Sequence, residues 1–266
     1  MTDLWSDLLA CLDMATTRSG NHFTARNQTL EYHRVFGGQL LGQFIRAAEL
    51  VCPEKSVKSL HALFPREGRA DEPVVYDVTV HHEGRSFATL SVLAAQSKGP
   101  IGTASISMHV TEDGPALQTV EPVPGLLGPE YAVGLDLIPW DTRATADLNA
   151  PHVGPPECEI WMRTPEVDPA LAQALAAYAT DLTLIGTAVR PLDGLSQTGN
   201  GTQFTSAVTS HTIWFHRPFR TDGWLLLRQH SPIVAHGRSF GRGDLLTDDG
   251  TLVASYAQEA LLRIAI

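Results

Sequence analysis

Apolar residues recur at helical intervals along "GGQLLGQFIRAAELV": Leu40, Leu41, Phe44, Ile45, Ala48 and Val51 share one face, and Pro53 stops the segment. The spacing predicts a helix over residues 39–51, with the glycine pair Gly37–Gly38 at its start. The period then changes to that of strands, around residues 59–64, 74–82, 86–96 and 101–110. In the last of these Ala104, Ile106, Met108 and Val110 alternate with Ser105, Ser107 and His109, which predicts one buried and one solvated face. Residues 111–156 are rich in Pro and Gly and read as a linker with at most one short helix. Beyond it "EIWMRT" predicts a strand, and "DPALAQALAAYATDLTLIG" a helix over residues 170–186 with Leu171, Leu175, Tyr178, Leu182 and Ile185 as its buried stripe. Strands follow near 206–216, 223–230, 236–246 and 251–264.

The two halves thus carry the same order of elements, and the tetrapeptide "GRSF" occurs in both, at Gly84–Phe87 and Gly237–Phe240. "LHALF" precedes the first copy as "SHTIWF" precedes the second. A tandem duplication follows, with units at 1–112 and 156–266 joined by a linker at 113–155. Each unit is one long apolar helix followed by an antiparallel meander, an α+β arrangement in which a sheet wraps a helix and both bury their apolar faces.

Composition narrows the setting. No apolar run reaches the roughly 20 residues of a membrane span, and "MTDLWSDLLACLDM" has acids where a signal peptide has basic residues. Cys11, Cys52 and Cys158 are too few and too scattered for a disulfide frame or a zinc site, which fits a reducing cytoplasm. A formal net charge of -10 argues against a nucleic-acid surface.

Chemistry is suggested where the second unit departs from the first. On the final strand Leu252, Ala254, Tyr256, Ala260, Leu262 and Ile264 share an apolar face that only Gln258 interrupts, and its counterpart in the first unit is Met108. A buried amide without partners costs about 1–3 kcal/mol, so Gln258→Met alone is expected to hold or raise stability. Asp181, on the apolar-striped second helix, is the natural polar partner, because the first helix has no acid until Glu49. In "VFGGQLLGQ" the glycines admit a close neighbour, and free N–H groups at a helix start attract oxyanions. Two other features are set aside. "DLNAPH" splits the Asn-Pro pair of the D-x-N-P-x-H hydratase signature with Ala150 and lies in the linker. His211 and His216 lie on opposite faces of one strand, and no histidine has metal-ligand spacing.

The stretches "VFGGQLLGQ", "YATDLTLIGTAV", "SHTIWFHRPFRTDGWLLL" and "GRSFGRGDLLTDDGTLVASYAQEALLRI" resemble the acyl-CoA thioesterase II family over roughly residues 34–110 and 157–264. The resemblance implies a double hot dog and the hydrolysis of fatty acyl-CoA to free acid and coenzyme A. It also implies a water-activating network of Asp181, Gln258 and a hydroxyl three residues before the strand's histidine. That position is Val208 here, a departure from the family pattern. Ser210 shares its parity, whereas Thr209 needs a bulge or register shift to turn inward. Gly37, Gly38 and Gln39 are expected near the substrate, and Arg217, Arg220 and Arg238 near the coenzyme A phosphates. No cofactor or metal, no nucleic acid and no membrane partner is expected; a cytoplasmic homo-oligomer is. The alternatives are a hot-dog enoyl-CoA hydratase or dehydratase, which needs an Asp-His signature absent from this helix start, and a non-catalytic acyl-CoA-binding module.

Overall fold

The computed structural model describes residues 3–17, 20–31 and 34–264. Asp3 caps the first helix, α1 (Leu4–Leu12), by accepting from the backbone N–H groups of Trp5 and Ser6. Short strands β1 (Ala15–Thr16) and β2 (His22–Ala25) lead to α2 (Gly37–Val51), which takes in the glycine pair ahead of the expected span and ends where expected. The meander follows as β3 (Ser56–Leu63), β4 (Val74–Glu83), β5 (Phe87–Gln96) and β6 (Gly99–His109). The strands run in the order β1-β2-β4-β5-β6-β3, and α2 packs on β3, β4, β5 and β6.

The second half repeats this plan. After β7 (Asp141–Ala144) and β8 (Glu157–Arg163) come α3 (Ala172–Thr180) and α4 (Leu184–Val189). Strands β9 (Phe204–Phe215), β10 (Leu225–Ala235), β11 (Arg238–Thr247) and β12 (Leu252–Ile264) complete it. Their order is β9-β12-β11-β10-β8-β7. With β3 to β6 read as β9 to β12, the connectivity is the same in each half, and α4 packs on β8, β10 and β11. GRSF marks the same hairpin twice, between β4 and β5 and between β10 and β11. At the second, His236 and Gly237 have φ of 52° and 72° between the paired Ala235 and Arg238, a two-residue turn of the kind that suits strand twist.

By internal packing the residues divide into two compact units. One holds the chain up to Leu117 with Gln173–Ala179 and Thr212–Phe215; the other holds Gln118–Ala172, Thr180–His211 and the chain from His216 on. Most of α3 therefore belongs with the first unit. A Cβ on Gly38 would lie 2.5 Å from the carbonyl oxygen of Tyr178, and one on Gly42 3.1 Å from that of Ala174, so only glycine lets α2 approach α3 this closely.

The helix expected over 170–186 is not continuous: α3 ends at Thr180, and Thr183, with φ -132° and ψ -6°, starts α4 anew. Aspartate and threonine side chains compete for backbone hydrogen bonds, and "DLT" sets two of them within three residues. The stripe holds through Leu175 and Tyr178, but after the break Leu184, Thr187 and Ala188 are buried rather than Leu182 and Ile185. The segment expected as a linker is laid on the second unit. Its Val120, Val123 and Leu127 cover the buried Trp161, Leu226 and Leu246. Arg228 fastens it by donating to the carbonyls of Glu121 and Pro122, both at 2.8 Å, and β7 pairs with β8.

All three cysteines are unpaired and buried. Burial pushes the Cys11 thiol up to about 12 and that of Cys158 to about 11, and raises that of Cys52. No described helix is long and apolar enough to cross a membrane.

Candidate active site

Gln258 lies on β12 between the buried Tyr256 and Ala260, on the face that alternation assigned to the core. Across the ladder it faces Gly241, whose missing side chain lets Leu184 of α4 close over the position; a Cβ there would lie 2.7 Å from Leu184 Cδ2. The registers also settle its counterpart. Phe87 pairs with His109 and Ala88 with Met108, as Phe240 pairs with Glu259 and Gly241 with Gln258. Aligning the two GRSF hairpins therefore sets Met108 on Gln258, and both are buried.

The partner of Gln258 is His211, on β9. Its Nδ1 lies 3.0 Å from Gln258 Oε1, and its Nε2 lies 3.0 Å from the hydroxyl oxygen of Thr180, the last residue of α3. His211 has no exposed surface, and burial pulls its imidazole down to about 4, against the opposing hydrogen bond to Gln258. The ring is thus neutral near pH 7. A carbonyl oxygen only accepts, so Nδ1 carries the proton, and Nε2 accepts from Thr180. Gln258 Nε2 is buried with no protein partner among the described residues. Asp181 follows Thr180 directly and is itself buried.

Sequence reasoning weighed His211 only as half of a metal pair. The sequence nevertheless marks the position. Aligning "LHALF" with "HTIWF" sets Leu60 on His211, so a second apolar core residue of the first unit becomes polar in the second. Leu60 and Met108 are both fully buried.

Protonating His211 opposes folding. An unfolded histidine takes up its proton near 6.5, whereas folded His211 does so only near 4. The unfolded state therefore binds more protons in that window. This contribution to stability is complete above the unfolded value and is lost as pH falls through the window. Denaturant unfolding at pH 7 and 4.5 is expected to show wild type losing about 2 kcal/mol more than His211→Leu. Equal losses would contradict the neutral buried imidazole.

Around the hydroxyl expected three residues before His211, alternation slips. Phe204 and Ser206 are buried at even positions, His211, Ile213 and Phe215 at odd ones, and residues 207–210 are all half-buried. Counted back from His211, Thr209 has its parity and Val208 and Ser210 the opposite one. Thr209 Oγ1 donates to the Glu259 carbonyl at 3.0 Å.

A second buried amide shows what a fully satisfied one looks like. Gln229 accepts from the Thr183 and Thr187 hydroxyls at 3.0 and 2.9 Å, and its Nε2 lies 2.9 Å from the Tyr256 hydroxyl oxygen. Both ends are used, and the group binds α4 to β10 and β12. Gln258 uses one end.

The glycine motif is held within the first unit. Gln39 is buried, its Oε1 accepting from the Gln28 N–H at 2.8 Å and its Nε2 donating to Asn27 Oδ1 at 2.9 Å and Gln43 Oε1 at 3.2 Å. Gly38 serves the approach of α3, and the start of α2 at Gly37 has no side-chain cap. Of the three arginines, Arg220 pairs with Asp222 and Arg238 with Glu259, while Arg217 donates to Gln118 Oε1 and the Leu252 carbonyl.

Comparison with known proteins agrees with the duplicated plan. The family model described as the acyl-CoA thioesterase N-terminal domain matches residues 26–109, and the one described as its C-terminal domain matches residues 111–262. Acyl-CoA thioesterase 2 of Haemophilus influenzae is 33% identical, over 91% of this chain and 92% of its own. Human acyl-coenzyme A thioesterase 8 is 30% identical, over 91% and 84%. Among solved structures, an acyl-CoA thioesterase II from Mycobacterium marinum superposes with a TM-score of 0.80 at 30% identity, covering 97% of this chain and 98% of that one. With both halves matched in order and nearly the whole length shared, the chain belongs to the acyl-CoA thioesterase II family, and its fold is the double hot dog.

Proposed function

We infer that the protein hydrolyses acyl-CoA thioesters to a free acid and coenzyme A, and that Asp181 and Gln258 act on the attacking water. Family membership supports the reaction. The observation that carries the residue assignment is Gln258 itself: a buried amide with an unused donor end, where the first unit has Met108.

Asp181 accepts a proton from the water as general base, a role typically worth 10²- to 10⁴-fold, while Gln258 holds the water oxygen in line. Attack on the thioester carbonyl gives a tetrahedral oxyanion. Its collapse breaks the C–S bond, and the departing coenzyme A sulfur takes the proton back from Asp181. A substrate contact at Gly37, Gly38 and Gln39, or of Arg217, Arg220 and Arg238 with coenzyme A phosphates, is a proposal carried by the resemblance alone. The same holds for a homo-oligomer in the cytoplasm, where the three unpaired cysteines suit a reducing compartment.

Thiol release from acetyl-, octanoyl- and palmitoyl-CoA by the purified protein tests the reaction. The octanoyl and palmitoyl thioesters are expected to be cleaved faster than the acetyl one. No release from any of them would leave a binding module.

Of the two hydroxyls, Thr209 has the parity of His211 and Ser210 the opposite one. Thr209→Ala is expected to lower kcat by about tenfold, at the low edge of the range for acid-base groups and their positioning partners, with Ser210→Ala near wild type. The reverse result would restore the parity expected from the sequence.

A further inference from the structure

We propose that His211 is a positioning residue for the hydrolysis: held by Thr180 as the tautomer protonated on Nδ1, it turns the Gln258 amide so that the NH2 end faces the reacting water. This deepens the assignment of Gln258 above and rests on it.

A buried glutamine amide can sit in either of two orientations related by a half-turn, which exchange a donor for an acceptor at the same place. Which one is populated depends on the group behind it. Behind Gln258 stands His211 Nδ1 at 3.0 Å from Oε1, and behind His211 stands Thr180 Oγ1 at 3.0 Å from Nε2. The three residues form a directed chain, O–H to Nε2, then Nδ1–H to Oε1, and its free end is the buried Nε2 of Gln258. Turning the amide over would set N–H against N–H, which at the usual cost of a lost buried hydrogen bond leaves that form at about one part in ten to one in a hundred. The chain also divides the work at the water. Gln258 brings only donors, which hold the water oxygen, so the acceptor for the water proton must come from elsewhere, and Asp181 is the adjacent carboxylate in sequence to the head of the chain. The first unit has no such device, because Leu60 and Met108 occupy the corresponding positions.

The opposite arrangement, with His211 protonated on Nε2 and an inverted amide, is experimentally distinct. In wild-type protein carrying ¹⁵N-histidine, long-range ¹H–¹⁵N correlation at pH 7 is expected to show His211 with a protonated Nδ1 and a bare Nε2, the resonance being assigned by its absence in His211→Asn. With octanoyl-CoA, His211→Leu is expected to lower kcat about 30- to 100-fold with KM within about threefold, the pattern for a group that acts in the transition state. His211→Asn, whose amide N–H falls close to the former Nδ1–H, is expected to stay within about fivefold of wild type, a rescue that a purely space-filling role does not predict. An Nε2-protonated His211 in the wild type overturns the proposal, and that measurement stands even if His211→Leu does not fold. So does wild-type kcat in His211→Leu when Gln258→Met is inactive. Full activity in Gln258→Met takes the chemistry away from this amide, and the role of His211 with it.

Discussion

Replacing His211 by Leu and Gln258 by Met together is expected to give a folded protein, at least as stable as wild type, that releases thiol from acyl-CoA slower by about 10²-fold or more. The pair copies the buried Leu60 and Met108 of the first unit. From the sequence, Gln258→Met alone is expected to hold or raise stability. The contact with His211 moves that outcome to the double variant. Alone, Gln258→Met buries the Nδ1–H of His211 without an acceptor, and His211→Leu leaves the Gln258 carbonyl without its donor; either costs about 1–3 kcal/mol. Removing both partners in favour of apolar groups of similar size is close to neutral or stabilising. Thr180 gives up its imidazole contact in His211→Leu and in the double variant alike, so their comparison is unaffected. Denaturant melts of the four proteins measure the coupling. A double variant less stable than either single would show that the two positions do not act as a pair.

Asp181→Asn is expected to cost about 10²-fold or more in kcat with KM little changed, because a carboxamide of the same shape cannot take the water proton. Adding Gln258→Met should cost little more, since groups that act on one water fail together. Rates that instead multiply, to about 10⁴-fold or beyond, would mean that the two residues serve separate steps. The break between α3 and α4 places Asp181 where the chain leaves one helix and enters another.

Periodicity carried most of the fold. The body of α2 follows from its apolar face, and the eight meander strands lie where the period of two and the turn residues put them. Local pattern cannot register interruptions that depend on tertiary packing. The stripe Leu171, Leu175, Tyr178, Leu182, Ile185 fits one continuous helix perfectly well, whereas in the fold the Thr183 hydroxyl is bonded to the buried Gln229 of β10 and α4 packs on β10 and β11, contacts that no local pattern registers. β2 and β7 are not legible in the sequence because strands of four residues alternate too briefly to stand out. At the site, Gln258 was visible because it breaks an apolar face whose repeat mate is apolar. His211 breaks the pattern in the same way, but histidine is tolerated at half-buried positions, and the comparison with Leu60 was needed to make it conspicuous. Between Ser210 and Thr209 the sequence offers no choice, since parity counted from one end of a strand is lost where the alternation of β9 slips.

The burial of Cys11, Cys52 and Cys158 has a practical reach beyond packing. Only thiolates react with chromogenic disulfides and maleimides. At pH 8 a thiol titrating near 12 is ionised to only about one part in 10⁴, and all three sulfurs lie under side chains besides. The native protein is therefore expected to react slowly with the dyes that count coenzyme A as it is set free, so that turnover can be followed continuously over a low background from the enzyme. The same three sulfurs become a built-in gauge of loss of structure, since each label taken up at long times reports a molecule whose core has opened.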